Sequence, residues 1–340
     1  MPLTARLNTT LQRKTNKDRA VVLFGPTAVG KTGLTEELFS SGYEIINADS
    51  VQVYKYLDIA SAKPEKELMD KIPHHLVDIR FPWEQYTSGD FCNDAENLIK
   101  EINSRGRIPL ITGGTAYYFK QLLYGPSLTP ISNRETREEI QKEIDEIGLD
   151  AAYRRLESLD KKAAEKIDKN DRYRISRALE VIKDTGRPLS SFPVSDSVRS
   201  DIDFVIIGLK RDKKELEERI KLRVDIMFDN GAVEEMKTLL RMGAEPSWPG
   251  MQGIGYREWF DALSSGECSI SSIKDMIVRS SIKYAKRQMT FFSSFKDTTW
   301  FSPDDYDGIN NLIKEIRVII PNFERTKASF PPNNIVIQSR

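Results

Sequence analysis

The chain has 340 residues, 39% hydrophobic and 30% charged, and its 51 basic and 51 acidic side chains give a formal net charge of zero. This composition is typical of a folded globular protein and excludes a disordered or low-complexity chain. The length favours two domains, or one core with an insertion. No apolar run approaches the roughly 18 residues of a membrane span, and the basic first nineteen residues lack the apolar segment of a secretory signal.

The first predicted elements form a βαβ unit. Residues 20–24 predict a buried strand, which a Gly-rich turn connects to a helix over residues 31–40. A second apolar run, residues 43–48, ends at Asp49. This order of elements predicts a parallel sheet with a right-handed crossover.

The α/β pattern continues to about residue 125 and resumes near residue 200. Apolar residues at helical spacing cover residues 91–102, and residues 108–111 predict a strand that leads into Gly113-Gly114-Thr115 and a second helix. Residues 204–209 are strand-like again, and helices dominate from there to about residue 295.

The stretch between these parts is highly charged and helical throughout. One of its helices is predicted to begin after Asn170 or Asp171 and to end at Gly186. The sequence therefore predicts an α/β core, a helical insertion and two loose tails. Their predicted bounds are 20–125 with 200–320 for the core, 126–199 for the insertion, and 1–19 and 321–340 for the tails.

Cysteine and histidine are rare. Cys92 and Cys268 are far apart and form no CxxC pair, so we interpret them as inert thiols of a reducing, cytoplasmic setting. The adjacent His74 and His75 lack the further paired ligands of a metal site, which favours a structural turn.

A complete phosphate-binding motif, GxxxxGK[ST], follows the first strand and opens the first helix. It consists of Gly25, Pro26, Thr27, Ala28, Val29, Gly30, Lys31 and Thr32. In this position the backbone N–H groups and the helix dipole favour an anion, Lys31 adds positive charge, and the Thr32 hydroxyl is a ligand for Mg²⁺. The motif makes the predicted core a P-loop NTPase-like sheet.

The motif indicates a diphosphate or triphosphate and does not specify a reaction. A GTP switch requires an NKxD segment after a later strand, but Asn16-Lys17-Asp18 precedes the loop. A motor ATPase requires an apolar strand that ends in Asp, whereas residues 108–111 lead into glycines. A kinase of a small molecule or nucleotide, a non-catalytic RNA-binding protein and another small-substrate transferase stay open.

Asp49 follows the second strand, at the edge where parallel sheets bind ligands. A carboxylate there can accept a proton from the nucleophile of an acceptor substrate, or hold a Mg²⁺-bound water. Because Ser50 and Gln52 follow, an aspartate that only caps a turn is the alternative. Arg223 lies on the apolar stripe of a later helix, where its stem could equally pack while its head reaches water.

Taken together, the motifs resemble those of bacterial-type tRNA dimethylallyltransferases, also called tRNA isopentenyltransferases. The blocks keep the order of that family over residues 21–300. They are residues 25–32, 47–54, 62–64, 73–78, 113–115, 170–171 with 174–180, 253–257 and 286–288.

The resemblance implies a reaction and its partners. The family transfers the dimethylallyl group of dimethylallyl diphosphate to N6 of an adenine in tRNA. That adenine lies immediately 3′ of the anticodon in tRNAs that read codons beginning with U. The P-loop would then hold the diphosphate of the donor with Mg²⁺, in a monomeric cytoplasmic enzyme.

The resemblance also implies roles for individual residues. Asp49 would orient the amine and take its proton, and Thr115 and Arg223 would contact the diphosphate. The flipped adenine would meet Asp49, Ser50, Val51 and Gln52. Contacts with the rest of the tRNA are implied for Arg137, Tyr173, Arg174, Ile175, Ser176, Arg177, Gln252, Gly253, Ile254, Gly255, Tyr256, Arg257, Lys286, Arg287, Gln288, Met289, Thr290, Phe291, Phe292 and Ser293.

The chain departs from the family pattern at three of these positions. Gly253 stands where the family often has Cys, Phe291 where it often has Trp, and Ser293 where it often has Arg. The departures bear on the expected tRNA contacts more than on the expected catalytic groups. From the residues alone, the basic clusters around Tyr173 and before Phe291 are either RNA-binding surfaces or solvated helix faces.

Overall fold

The computed structural model describes residues 17–319 apart from residues 40–41, 126–128, 131, 194, 196 and 267–268. The side chains of residues 306 and 315–319 are also outside this description. The predicted C-terminal tail, most of the N-terminal tail and Cys268 therefore lie outside the described residues.

Within the described residues, six parallel strands form the sheet at the centre of the fold. The strands are β1 (Asp18–Phe24), β2 (Tyr43–Asn47), β3 (His74–His75), β4 (Ile108–Gly113), β5 (Ile202–Leu209) and β6 (Thr299–Phe301). Their order across the sheet is β3-β2-β4-β1-β5-β6. In register, Val21 of the central β1 lies opposite Leu110 and Val205. The predicted α/β fold with a parallel sheet is confirmed.

Thirteen helices are assigned within the described residues. They are α1 (Lys31–Leu38), α2 (Lys66–Lys71), α3 (Ser88–Ser104), α4 (Ala116–Tyr124), α5 (Arg134–Ile147), α6 (Leu149–Leu159), α7 (Lys161–Ala164), α8 (Arg172–Thr185), α9 (Lys213–Asp229), α10 (Ala232–Arg241), α11 (Arg257–Ser265), α12 (Ile270–Phe292) and α13 (Tyr306–Ile319). Short 3₁₀ turns cover Leu189–Ser191 and Pro249–Gln252. Each described helix is too short or too polar to cross a bilayer.

Local sequence signals account for several helix ends. The Asp171 side chain accepts the backbone N–H of Arg174 and so caps the start of α8. Gly186, with φ of 66°, ends that helix in the left-handed conformation that glycine tolerates. Both ends agree with the prediction from the sequence.

The described residues form two compact units. The core unit lies within Met1–Leu123 and Arg199–Arg340, and the insertion unit within Tyr124–Val198. In the core unit, consecutive side chains of β1 and β2 are buried, so both faces of the sheet are covered there. Phe24 of β1 stacks on Phe292 of α12, with 4.5 Å between the ring centroids. The insertion unit has its own apolar cluster, which includes Ile140, Leu156 and Ile175.

The structure corrects the sequence interpretation at two strands. His74 and His75 form the short strand β3 beside β2, rather than a turn, and His75 Nε2 lies 2.7 Å from Glu44 Oε2. The sequence also gave no indication of β6, which has only three residues and pairs with β5 at the edge of the sheet.

Candidate active site

The predicted site residues of the core unit converge where β1, β2 and β4 end. The P-loop follows β1, Asp49 follows β2, and Gly114-Thr115 follows β4, which ends at Gly113. A Cβ atom on Gly113 would lie only 2.3 Å from the carbonyl oxygen of Ala48, so this crossing requires glycine. The close approach allows the Thr115 N–H to donate to that same carbonyl at 3.1 Å.

Lys31, Arg223 and Asp49 all line the larger cavity of the site. Lys31 Nζ donates to the carbonyls of Gly25 and Pro26 at 2.9 and 3.0 Å. Burial and then the charge of Arg223 lower the pKa of Lys31 to about 7, against an opposing effect of Asp49. Burial also lowers the pKa of Arg223, which Asp49 again opposes. The three charged groups are therefore close enough to influence one another.

Arg223 extends from α9 to the P-loop. Its Nη1 donates to Thr27 Oγ1 at 3.0 Å, and its side chain lines the cavity beside Lys31. The alternative interpretation, in which the head of Arg223 reaches bulk water, is therefore wrong. The structure instead brings Arg223 to the phosphate-binding loop, the part of the site where the resemblance implies a contact with the diphosphate.

Three further side chains hold the P-loop backbone. Gln288 Oε1 of α12 accepts the N–H of Thr27 at 2.9 Å. Arg219 Nε donates to Ala28 O at 2.9 Å, and Arg211 Nε donates to Val29 O at 2.8 Å. Sequence reasoning missed both arginines. The four-residue spacing of Arg219 and Arg223, which places them on one face of α9, was the available signal.

Asp49 has two different carboxylate oxygens. Oδ1 accepts the N–H groups of Val51 and Gln52 at 2.9 and 3.3 Å. Among the described residues, no hydrogen bond reaches Oδ2. The turn-capping interpretation of Asp49 is thus correct for one oxygen, and the other oxygen is available for a substrate.

Thr115 lies beside Asp49, but its hydroxyl is engaged. Oγ1 accepts the N–H of Ser50 at 2.9 Å and donates to Ser50 Oγ at 3.1 Å. Tyr284, a residue that the sequence did not single out, donates its hydroxyl to Gly114 O at 3.3 Å. Burial raises the pKa of Tyr284, as does the nearby Asp49.

Two cavities in the core unit meet at Asp49. The larger, about 870 Å³, is lined by the P-loop with Lys31 and Thr32 and by Gln52. The smaller, about 260 Å³, is lined by Ser50, Val51 and Thr115. Both cavities are lined by Thr27, Asp49, Arg223, Met227 and Tyr284. A group bound in one cavity is therefore adjacent to a group bound in the other.

The residues expected to contact tRNA separate into exposed and buried sets. In the core unit, Gln252, Arg257, Lys286, Arg287, Thr290 and Ser293 are exposed, and Gly253, Ile254, Met289 and Phe291 are partly so. Of these, Gln252, Gly253, Ile254, Arg257 and Arg287 line the smaller cavity. The structure thus brings together about half of this set at one opening.

Buried side chains correct the expectation for several other residues. Gln288 is 2% exposed, and Tyr256 and Phe292 are buried completely or almost so. Gly255 is also buried. Since these side chains pack inside the protein, we no longer expect them to contact RNA directly.

The insertion unit shows the same division. Tyr173 on α8 is 78% exposed. Its neighbour Arg174 is also exposed, as is Arg137 on α5. Ile175 is buried in the apolar cluster of the unit, and Ser176 is buried with its hydroxyl bonded to Gln141 and Glu180, which corrects their assignment as RNA contacts. Arg177 is engaged with Ser132 Oγ and Glu180.

The structure gives a physical reason for the glycine at position 253. A Cβ atom there would lie 2.8 Å from Val51 Cγ2 and 3.1 Å from Val51 Cγ1. A cysteine would therefore require Val51 to move. The departure from the family pattern at Gly253 is matched by the branched side chain that faces it.

Known proteins are similar to this chain over most of its length. The family described as IPP transferase matches residues 52–295. A tRNA dimethylallyltransferase of Borreliella afzelii is 41% identical over 298 residues, which are 87% of this chain and 99% of the relative.

Two solved structures are also similar. A tRNA isopentenylpyrophosphate transferase of Bacillus halodurans is 35% identical with a TM-score of 0.63, over 91% of this chain and 99% of that one. A eukaryotic dimethylallyltransferase described as acting on tRNA is 26% identical with a TM-score of 0.70, over 93% of this chain and 81% of that one. By its sequence match, its fold and the motifs that meet at Asp49, the chain belongs to the IPP transferase family.

Proposed function

We propose that this protein transfers the dimethylallyl group of dimethylallyl diphosphate to N6 of the adenine immediately 3′ of the anticodon, in tRNAs that read codons beginning with U. The observation that carries the proposal is the position of Asp49, between a cavity lined by Lys31 and Thr32 and a second cavity lined by Ser50 and Thr115. The names of the similar proteins support the same reaction.

The larger cavity suits the donor. When the bond between C1 and the diphosphate oxygen breaks, the electron pair leaves with the diphosphate and negative charge grows there. In this proposal Lys31, Arg223 and the N–H groups of the loop stabilise that charge, and their position along the larger cavity supports this role. Preorganised donors of this kind stabilise the transition state more than the ground state.

A magnesium ion fits the donor end of the site. Thr32 is an exposed residue that lines the larger cavity. The described residues contain no cluster of three or more His, Cys, Asp or Glu that would form a metal cage. Mg²⁺ commonly combines one or two protein ligands with substrate phosphates and water. When bound, the ion would neutralise charge on the departing diphosphate.

The smaller cavity suits the acceptor base. The exocyclic amine of adenine is a weak nucleophile because its lone pair is delocalised into the ring. As N6 forms its bond to C1, the nitrogen becomes cationic and its proton becomes acidic. In this proposal Asp49 Oδ2 accepts that proton, and the bonds from Val51 and Gln52 to Oδ1, which fix the carboxylate, support this role.

The RNA must deliver the adenine to this cavity as an unstacked base. Flipping a base from a loop costs a few kcal/mol, less than from a duplex. We assign the rest of the tRNA contact to the exposed side chains at the cavity opening and, in the insertion unit, to Arg137, Tyr173 and Arg174. The insertion unit would clamp the anticodon stem-loop. Since one chain lines both cavities, we propose that the protein acts as a monomer. We also propose that it acts in the cytoplasm, as the resemblance implies.

The direct test is the mass of the product. The protein is incubated with dimethylallyl diphosphate, Mg²⁺ and unmodified tRNA, and the digested RNA is analysed for N6-dimethylallyladenosine. A parallel reaction contains ATP and no donor. The proposal expects the modified nucleoside and no ATP turnover. ATP consumption without the product would indicate a kinase, and tRNA binding without either reaction would indicate a binding protein.

A further inference from the structure

A turn of five residues, 58–62, separates the two cavities of the core unit, and we call it the partition. Ile59 and Ala62 line the larger cavity, while Ala60 and Ser61 line the smaller. A shift of this segment would therefore change the walls of both cavities at once.

The partition is held from outside by one carboxylate. The Glu235 side chain of α10 accepts three consecutive backbone N–H groups, those of Asp58 at 2.8 Å, Ile59 at 2.6 Å and Ala60 at 3.1 Å. Hydrogen bonds to a charged acceptor are about twice as strong as those between neutral groups. This convergence of N–H groups makes Glu235 the principal anchor of the turn.

A tyrosine completes the anchor. Tyr256 donates its hydroxyl hydrogen to Glu235 Oε1 at 2.8 Å, and its oxygen accepts the N–H of Ser61 at 3.2 Å. Burial, together with Glu235, raises the pKa of Tyr256, so the hydroxyl remains a donor at neutral pH. Four successive N–H groups of the partition thus end on two side chains.

On its inner side the partition is bonded to Gln52, which is also bonded to Asp49. Gln52 Nε2 donates to Ser61 O at 3.1 Å and to Ala62 O at 3.0 Å. The backbone N–H of Gln52 is in turn bonded to Asp49 Oδ1. A continuous set of hydrogen bonds therefore connects Glu235, through the partition and Gln52, to the carboxylate of Asp49.

The turn needs such support because its backbone is strained. Ala62 has φ of 48°, a left-handed conformation that costs energy for a residue with a Cβ atom. A Cβ atom on Gly255 would lie 3.0 Å from Ala60 Cβ, so the segment before Tyr256 packs directly on the partition. Without Glu235 and Tyr256, the four N–H groups would lose their acceptors.

We propose that Glu235 and Tyr256 are positioning residues for the transfer step, which fix the partition and, through Gln52, the alignment of Asp49 with both substrates. The inference rests on the proposed function, and neither side chain touches a reacting atom. Because misplacement of about 1 Å can cost up to 100-fold in rate, loosening the partition should lower kcat more than it changes either KM.

The test compares Glu235→Gln and Tyr256→Phe with the control Glu234→Gln. Glu234 is the neighbouring residue on α10, and its side chain is 68% exposed and paired with Lys237. Both test variants are expected to lower kcat about tenfold, with the KM for dimethylallyl diphosphate and for tRNA within about threefold of wild type. The control should keep wild-type kinetics.

A second arm is independent of activity. Hydrogen exchange, read by mass spectrometry, should accelerate at the amides of residues 58–61 in both test variants and stay unchanged in β1. If wild-type protein makes no product, the proposed function fails, while this arm still tests the anchor.

A double variant tests the route through Gln52. Adding Glu235→Gln to Gln52→Ala should cause less than about a twofold further loss of kcat, since coupled residues are non-additive. Unchanged kcat and exchange in both test variants would overturn the inference, as would a selective rise in one KM. A uniform rise in exchange over the core unit, or full additivity with Gln52→Ala, would also overturn it. If Glu235→Gln does not fold, Tyr256→Phe decides.

Discussion

Gln288 of α12 accepts the backbone N–H of Thr27 at 2.9 Å, which ties the phosphate-binding loop to a helix 261 residues later in the chain. Nε2 of the same side-chain amide donates to Gly114 O at 2.6 Å. One buried side chain therefore connects the loops that follow β1 and β4. This contact explains why Gln288 belongs to a family block without being exposed to RNA.

Replacing Gln288 with leucine should weaken donor binding and leave tRNA binding intact. The change keeps the volume but leaves the Thr27 N–H without a partner, which costs about 1–3 kcal/mol. The Gly114 carbonyl loses its bond from Gln288 and keeps the longer bond from the Tyr284 hydroxyl. We expect KM for dimethylallyl diphosphate to rise about tenfold, as steady-state kinetics would measure. Lys286→Gln, two residues earlier and exposed, should do the reverse by raising only the KM for tRNA. If each variant raised the KM for dimethylallyl diphosphate and the KM for tRNA equally, the assignment of Gln288 to the donor and of Lys286 to tRNA would be contradicted.

The pH dependence of donor binding should follow Lys31. Burial and then Arg223 lower its pKa to about 7 in the free protein, and a bound diphosphate raises the pKa by adding negative charge. Lys31 is therefore charged below pH 7 and loses its proton as the pH rises through that value. We expect kcat/KM for the donor to fall up to about tenfold per pH unit above 7.

The control for this profile is Lys31→Arg. Arginine keeps its charge over the whole range, so the decline above pH 7 should disappear even if activity is lower. A decline that persists in the arginine variant would assign the titration to another group.

Glu44 should contribute to stability in a pH-dependent way. Burial acts to raise its pKa, but hydrogen bonds from His75 and Arg105 and the charges of Arg105 and Arg107 outweigh burial and lower the pKa from 4.5 to about 2. The stabilisation is therefore complete above pH 4.5 and is lost as the pH falls towards 2.

Glu44→Gln should accordingly lower the free energy of unfolding by about 2 kcal/mol at pH 7. Denaturant unfolding should show that the difference from wild type shrinks below pH 4.5, the ordinary pKa of the group. The surface pair of Glu36 and Lys71 provides the comparison, because water screens exposed charges and removing the pair with Glu36→Gln should leave the free energy of unfolding nearly unchanged at any pH. A pH-independent loss in Glu44→Gln would contradict the assignment.

The exposed face of α8 should contribute to tRNA affinity through charge and stacking. Arg174→Gln is expected to weaken tRNA binding and to reduce the dependence of log Kd on log salt concentration by about one unit. Tyr173→Ala should weaken binding with an unchanged salt slope, since an aromatic ring stacks without charge. Filter binding at several salt concentrations measures both. Wild-type affinity in both variants would exclude this face from the RNA contact.

The sequence predicted the core of the fold because its signals are local. Residues 20–24 form a continuous apolar run, and the strand Asp18–Phe24 is buried in the sheet as that run requires. Asp171 and Gly186 marked the ends of α8 in the same way. Lys31 and Asp49 lie at the predicted edge of the sheet because each comes after a strand of a parallel sheet, while their roles as site residues stay predictions.

The remaining features depend on contacts distant in sequence. Glu235 and the N–H groups of residues 58–60 are separated by at least 175 positions, so no pattern near either one indicates the bond. The burial of Gln288 and Phe292 follows from the packing of α12 on the P-loop and β1, and basic neighbours such as Lys286 obscured it. Strand β6 is too short to carry a periodic signal.

The central claim is that Asp49 accepts the proton from the adenine amine between the two cavities, and Asp49→Asn tests it most directly. The amide oxygen can still accept from Val51 and Gln52, so the turn, the thermal unfolding temperature and tRNA affinity should be retained. Single-turnover formation of N6-dimethylallyladenosine, followed by mass spectrometry, should slow by about 100-fold to 10,000-fold. A rate within about twofold of wild type, with tRNA bound normally, would contradict the account.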